Sequence, residues 1–279
     1  LKLVKGGHPL WRSRASERER REIGKILALQ RWERLSEKEA LEEIRPLFSG
    51  PLRYLNRGAQ SYVFLTADGE HVVKFFRFDQ AHNPLRYWYK RWVKGKERSP
   101  ADLKLWQLLT SAWLAYREAK DLTGLMYVHL IEGGEDLPQA VLIDPLGRRH
   151  TIRLSEYRFV VQKRADRLDA TLQRALSQGG ERALQERIDQ FFALLVERTK
   201  RKIGNSDRAT FRNIGFIANR AIEIDFGNFY VNDFDGIEAK RREEIFRFCA
   251  QLEKWLARHA PESLPYLESW KGRIERGEA

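Results

Sequence analysis

The sequence predicts an α+β chain of two lobes, an antiparallel sheet followed by a small, mainly helical part, with a helical extension ahead of both. Three observations lead there. β-rich runs between residues 52 and 76 alternate with turn residues, apolar positions recur at helical spacing after Pro100 and again after Leu184, and a short apolar hairpin ends on Ile224-Asp225-Phe226-Gly227. The expected boundaries are residues 1–50 for the extension, 51–165 for the sheet lobe and 166–279 for the helical lobe.

In the extension, Ser16-x-x-Glu19 and Ser36-x-x-Glu39 have the form of capping boxes, each opening a polar-rich helix with apolar positions such as Ile23, Ile26, Leu41 and Ile44. Leu52-Arg53-Tyr54-Leu55 and Tyr62-Val63-Phe64-Leu65-Thr66 then read as strands around the small, polar loop Asn56 to Ser61. Asp68-Gly69 marks a hairpin turn into His71-Val72-Val73-Lys74-Phe75-Phe76. A lysine amid apolar strand residues either faces solvent from an edge strand or reaches an anion such as a nucleotide phosphate.

Ser99-Pro100-Ala101-Asp102 is a helix start, followed by Leu103, Trp106, Leu109, Trp113 and Tyr116 on one stripe, with Glu118 off it. Strands resume near Met126–Ile131, Ala140–Ile143 and Thr151–Leu154, with Asp144-Pro145-Leu146-Gly147 as a turn, and Arg158–Gln162 is the last strand of the lobe. Leu184, Ile188, Phe191 and Leu195 mark a long helix that delivers the chain to Asp207. Residues 214–217 and 221–224 form the hairpin that ends on Asp225, and Asp235-x-x-Glu238 caps a helix through Ile245, Phe248, Leu252 and Leu256. The residues after Pro261 read as a short tail.

Asp225 stands twelve residues after Asn213 and eighteen after Asp207. A carboxylate ending a strand can hold Mg²⁺ on nucleotide phosphates, an upstream amide can share that duty, and a further carboxylate can orient an acceptor hydroxyl. The six histidines and the single Cys249 have no metal-ligand spacing, which argues against zinc, and no Gly-x-Ser-x-Gly elbow is present. One cysteine excludes an intramolecular disulfide and suits a reducing compartment. A net charge of +12 and an isoelectric point near 9.8 favour phosphate-rich partners. The Arg12–Arg21 run is interleaved with glutamates and reads as a solvated helix, so nucleic acid is not the expected partner.

These residues together resemble the protein-kinase-like superfamily, over roughly residues 52 to 230. The family's glycine-rich loop is matched by Asn56, Gly58, Ser61 and Val63, with one glycine kept of three; its strand lysine by Lys74; its metal-binding tripeptide by Asp225-Phe226-Gly227; and its helix glutamate by Glu118. Asp207 and Asn213 match the catalytic loop, although Asn205-Ser206 stands where the family has His-Arg and the Asp-to-Asn separation is one residue longer. The resemblance implies ATP and Mg²⁺ as cofactors. Asp207 would be the base, Lys74 the phosphate clamp held by Glu118, and Asn213 and Asp225 the metal ligands. The strand end from Gln162 through Arg164 would meet adenine.

The short stretch after Gly227 shows no recognisable peptide-positioning segment and resembles the reduced second lobe of bacterial sugar or lipopolysaccharide kinases. The resemblance therefore implies a kinase of a hydroxyl acceptor, small or surface-presented and anionic. The alternatives are an atypical protein Ser/Thr kinase and a kinase-like scaffold that has lost catalysis; retention of Lys74, Asp207, Asn213 and Asp225 together favours an active enzyme. Arg86–Lys96 interleaves basic and aromatic residues, and either packs its Trp88 and Trp92 face on the sheet lobe or meets an anionic membrane surface. The expected location is cytoplasmic, with membrane association through a segment ahead of Leu1 as its extension.

Overall fold

The computed structural model describes residues 38–58, 60–77, 100–130, 137–207, 210–232 and 238–278. The Ser16 and Ser36 capping boxes, the Arg86–Lys96 segment and the Asp235 cap lie outside them. The described residues fall into two compact units, unit 1 within Leu1–Trp113 and Leu125–Arg164, unit 2 within Leu114–Gly124 and Ala165–Ala279.

Unit 1 opens with α1 (Lys38–Ile44) and a 3₁₀ turn over Arg45–Phe48, followed by β1 (Leu52–Arg57), β2 (Ser61–Leu65) and β3 (His71–Phe76). Helix α2 (Pro100–Glu118) passes from unit 1 into unit 2 at Leu114, and the single turn α3 (Lys120–Thr123) belongs to unit 2; the chain then returns to unit 1 with β4 (Leu125–His129), β5 (Gln139–Ile143), β6 (Arg149–Arg153) and β7 (Phe159–Lys163). The seven strands form one sheet in the order β4-β7-β3-β2-β1-β5-β6. Its pairings are antiparallel except that β1 meets β5 in parallel at Leu52 and Arg53, which is how the β5–β6 hairpin joins the sheet at its edge.

Strand alternation decides which side chains fill the core. Val73 and Phe75 of β3 point to one face with Tyr62, Phe64, Phe159 and Val161, and edge-to-face and tilted rings knit this face together, with Phe64 and Phe75 centroids 5.7 Å apart and Phe75 and Phe159 5.6 Å. Ala40, Leu41, Ile44 and Phe48 join the same cluster, so residues 38–48 seal the sheet of unit 1. The Asp68-Gly69 turn forms as the sequence indicates. Asp68 Oδ1 accepts from Thr66 Oγ1 and from the Glu70 N–H, and Gly69 takes the positive φ of 76° that a side chain would resist.

In the β5–β6 turn a buried carboxylate does similar work. Asp144 accepts hydrogen bonds from the Leu146 and Arg148 N–H groups, from Arg148 Nε at 2.9 Å and from His150 Nε2 at 3.1 Å. Burial opposes its ionisation, but these donors outweigh burial and hold the carboxyl down at about 2.

Unit 2 contains β8 (Asp166–Arg167), α4 (Leu168–Lys200, broken at Gly180), β9 (Ile203–Asn205), the turn α5 (Thr210–Asn213), β10 (Ile214–Ile217), β11 (Arg220–Glu223), β12 (Phe229–Val231), α6 (Glu238–His259) and α7 (Leu264–Glu275). Two small sheets, β11-β10-β8 and β12-β9, lie among these helices. The expected stripes are the buried ones: Leu184, Ile188, Phe191 and Leu195 on α4, and Ile245, Phe248, Leu252 and Leu256 on α6, with Cys249 also buried. Residues 264–275 are a helix where a short tail was expected. Asp189 of α4 accepts from Tyr266 Oη at 2.6 Å and Trp270 Nε1 at 2.7 Å, and Trp270 stacks on Phe192 at 5.0 Å. The anchors of α7 are thus polar tips of aromatic rings as much as an apolar stripe, which periodicity alone does not register.

Candidate functional site

The residues that the sequence singles out divide between the units. In unit 1, Lys74 lies on β3, the third strand of seven, with β2 and β7 on either side. Its row runs from Val63 through Lys74 to Val160, on the face opposite the aromatic cluster, and its strand neighbours on that face, Val72 and Phe76, are buried. The edge-strand alternative therefore does not apply. Lys74 is half-buried in an apolar surround, where an ammonium is best stabilised by an anion within reach.

The β1–β2 loop is held tightly at its base. The Gly58 N–H donates to Ser61 O at 2.9 Å, and Asn56 Oδ1 accepts from the Arg57 N–H at 2.7 Å. Arg77, one residue beyond β3, was not among the candidates. Its buried guanidinium donates to Gly58 O at 3.1 Å and lies 5.0 Å from the Tyr62 ring, while its N–H donates to Gln60 O at 2.8 Å. At the other end of the unit, Gln162 is buried on β7 and Arg164 is exposed. The Arg164 N–H donates to Glu70 O at 2.7 Å and its guanidinium to Gly69 O at 3.1 Å, so both are engaged by the β2–β3 turn.

Glu118 ends α2 within unit 2. Its carboxylate is half-exposed and sits 3.2 Å from Arg117 Nε, and its carbonyl accepts from Arg201 at 3.0 Å. Arg201 and Arg220 both bind Asp121 just beyond it, and hydrogen bonding to Arg201 is the main reason that the Asp121 carboxyl titrates below its ordinary range.

The segments that carry the remaining candidates are joined in unit 2 by main-chain hydrogen bonds. Asn213 O accepts from the Ile224 N–H at 2.6 Å and the Asp225 N–H at 3.3 Å, which ties the start of β10 to the residues following β11. Antiparallel pairing of β9 with β12 sets Asn205 opposite Phe229, and the Ser206 N–H donates to Asn228 O at 3.1 Å. The segment carrying Asp207 thus runs beside the residues just after Asp225. Gly204 leaves room for the Tyr230 ring to lie over this strand, because a Cβ there would stand 2.4 Å from the ring.

The three side chains differ in environment. Asp225 is exposed, and its Oδ1 accepts from the Gly227 N–H at 3.1 Å. Asn213 is buried, and its Nδ2 has no hydrogen-bond partner among the described residues. Asp207 is half-buried, with its N–H donating to Asn205 Oδ1 at 3.0 Å. A carboxylate and an amide together are a hard oxygen donor set of the kind that Mg²⁺ takes while keeping phosphate and water in the rest of its shell, and here the two residues that carry them are joined through their main chains. Among the described residues no group of three or more His, Cys, Asp or Glu gathers as a metal site, so these side chains do not form an all-protein cage. Nor is any helix there long and apolar enough to cross a membrane.

Under this site lies a charged network that was not among the candidates. Arg198 is fully buried between Glu223, with which its Nη1 pairs, and Glu244, whose Oε1 is 2.9 Å from its Nη2. Arg247 pairs with Glu244 as well. Burial pushes the Glu223 carboxyl up, against the pull of Arg198 and Asn205. A signal was available in the sequence: Arg198 falls next in the phase of Leu184, Ile188, Phe191 and Leu195, and Glu223 sits between two isoleucines. Charged residues at buried phases call for partners.

No protein-family model and no curated protein matches the chain. Among solved structures it is similar to WbdD in complex with the kinase inhibitor LY294002, at 15% identity and a TM-score of 0.38, over 71% of this chain and 37% of that one. The Legionella pneumophila LegK7 effector kinase follows at 12% and 0.29, over 76% and 38%, and the ADP-bound aminoglycoside phosphotransferase APH(2'')-Ib at 14% and 0.28, over 85% and 90%. The chain spans little more than a third of the length of WbdD. Likeness at these identities and scores transfers no residue roles.

Proposed function

We propose that this chain, a divergent protein-kinase-like α+β protein, is a phosphotransferase that uses ATP with Mg²⁺ on a hydroxyl acceptor. The observation that supports this reading is the backbone tie between Asn213 and Asp225, which joins the residue with the buried amide to the one with the exposed carboxylate, with the Asp207 segment running beside the residues just after Asp225. Asn213 and Asp225 would hold the metal, which when bound neutralises charge on the phosphates. Asp207 would accept the proton of the acceptor hydroxyl. Lys74 would bind phosphate oxygens, with Glu118 as its partner, and the loop carrying Asn56, Gly58, Ser61 and Val63 would cover them. Gln162 and Arg164 would flank adenine; since the Arg164 N–H is engaged by Glu70, the base would meet this residue through its carbonyl.

The acceptor proposed is small or surface-presented and anionic, such as a sugar or lipopolysaccharide component. Net charge +12 supports this, because a basic field raises the encounter rate of negative partners. A membrane surface met by Arg86–Lys96 would place the enzyme near such acceptors. One observation favours the second reading, a kinase-like binding module without turnover: the Gly58 and Arg164 N–H groups, which a nucleotide could use, are engaged within the protein.

Incubation with γ-labelled ATP and Mg²⁺ separates the two readings. Release or transfer of label, faster with anionic sugars than with generic proteins and falling with salt, is the expected result. Nucleotide binding without loss of the γ-phosphate would favour the binding module, and efficient, salt-insensitive labelling of a neutral protein would favour a protein kinase.

A further inference from the structure

Asn205 is fully buried, and each of its four polar groups is engaged. Its N–H donates to Glu244 Oε1 at 2.8 Å, its carbonyl accepts from Arg247, its Nδ2 donates to Glu223 Oε2 at 3.1 Å and its Oδ1 accepts the Asp207 N–H at 3.0 Å. The two glutamates that hold Asn205 are themselves bridged by Arg198, whose guanidinium also lies 4.6 Å from the Phe248 ring. Two buried carboxylates and two arginines balance in charge. The chain of contacts runs from α4 and α6 through one amide side chain to the backbone of Asp207.

We infer that Asn205 is a positioning residue for Asp207, and that its amide is fixed for this task by Glu223 and Glu244 on the buried Arg198. The inference rests on the phosphotransferase reading for its kinetic consequence but not for its structural one. An amide suits the position for a physical reason. Its oxygen accepts from the Asp207 N–H while its nitrogen donates to a carboxylate, and the amide carries this donor and this acceptor on two separate atoms without adding charge, where a hydroxyl has a single atom for both. A carboxylate at 205 would face Glu223 with like charge in a buried place, and an alanine would leave both Glu223 Oε2 and the Asp207 N–H without their bonds.

The pattern permits an exchange of roles. In Asn205→Asp with Glu223→Gln, the pair keeps a single negative charge, the glutamine oxygen still accepts from Arg198, and its nitrogen donates to the new carboxylate. That carboxylate still accepts the Asp207 N–H. The double variant should therefore recover what Asn205→Asp alone loses, a coupling that two independent structural defects would not give.

The test combines amide exchange by NMR with kinetics on the full chain. In Asn205→Ala the Asp207 N–H should exchange roughly 10-fold faster or more, while the Ser206 N–H, bonded to backbone, stays near its wild-type rate. In an active wild type, kcat should fall by about 10- to 100-fold with the dissociation constant of Mg²⁺-ATP changed by less than about 2-fold, as misplacement of a reacting group predicts. The double exchange should restore most of both. Unchanged Asp207 exchange, unchanged kcat in an active enzyme, or a double variant no better than Asn205→Asp would each overturn the inference. A wild type without turnover refutes the proposed activity instead, and the exchange data then decide the positioning role alone. Should Asn205→Ala not fold, Asn205→Ser keeps an acceptor, but its one shorter oxygen does not also bridge to Glu223; intermediate exchange at Asp207 is expected, and the wild-type rate would count against the inference.

Discussion

The two units hold their candidate residues by different means. In unit 1, Lys74 owes its place to strand register: apolar neighbours fix β3, and nothing in the aromatic cluster depends on what stands at position 74. In unit 2, the segment carrying Asp207 is fixed by buried charge, through Arg198, Glu223, Glu244 and Asn205. Hydrophobic burial is non-directional and tolerates exchange of a half-exposed side chain, whereas a buried polar network fails when one member is removed. Function and stability should therefore separate in unit 1 and remain linked beneath the site in unit 2.

The largest effect that sharpens this contrast is on turnover. Asp207→Asn removes the proposed base without altering the backbone bond that its N–H makes, and kcat for γ-phosphate transfer should fall by about 10²- to 10⁴-fold with little loss of stability. A variant retaining wild-type kcat would remove Asp207 from the mechanism. Next is the network itself. Arg198→Met leaves Glu223 and Glu244 buried without their shared cation, and should cost about 3–5 kcal/mol in urea unfolding, since breaking a buried pair strands the charge that remains. Loss of less than about 1 kcal/mol would mean that water or rearrangement rescues the carboxylates.

Lys74→Met is the counterpart in unit 1. Nucleotide affinity should weaken by roughly 10- to 100-fold, the size of one charge-assisted contact, while unfolding shifts by less than about 0.5 kcal/mol. Equal damage to fold and affinity would erase the contrast between the units. The smallest effect concerns acid. Asp144 has its folded-state value lowered from 3.8 to about 2, so its contribution is present above the unfolded value and is lost as pH falls from about 4 towards 2. Asp144→Asn should remove that part of the acid sensitivity, on the order of 2 kcal/mol, and flatten the stability profile over that range. An unchanged profile would show that other carboxylates govern acid unfolding.

The same contrast explains what could be read from the sequence. Strand alternation and helical stripes predicted β3 and the buried faces of α4 and α6, because hydrophobic burial leaves a periodic trace. The ordering of Asp207, Asn213 and Asp225 was legible, and their backbone ties arise from a hairpin that the apolar runs imply. The network was not: Arg198, Glu223 and Glu244 lie far apart in the chain, and only the fold shows which carboxylate a buried arginine meets. Helix α7 was missed because Tyr266 and Trp270 are held by Asp189 through their polar atoms. Arg77 was passed over because a basic residue after a strand resembles any solvated end, yet it grips the Gly58 loop.

The central claim is that Asp225 and Asn213 hold a metal on a bound nucleotide. Calorimetric titration of ATP with and without Mg²⁺, on the wild type and on Asp225→Asn, tests it most directly. The wild type should bind ATP about 10-fold more tightly, or better, when Mg²⁺ is present, and Asp225→Asn should lose that difference, because it deletes the carboxylate charge that opposes the ion. An Asp225→Asn protein whose ATP affinity still rises with Mg²⁺ as in the wild type would contradict the claim.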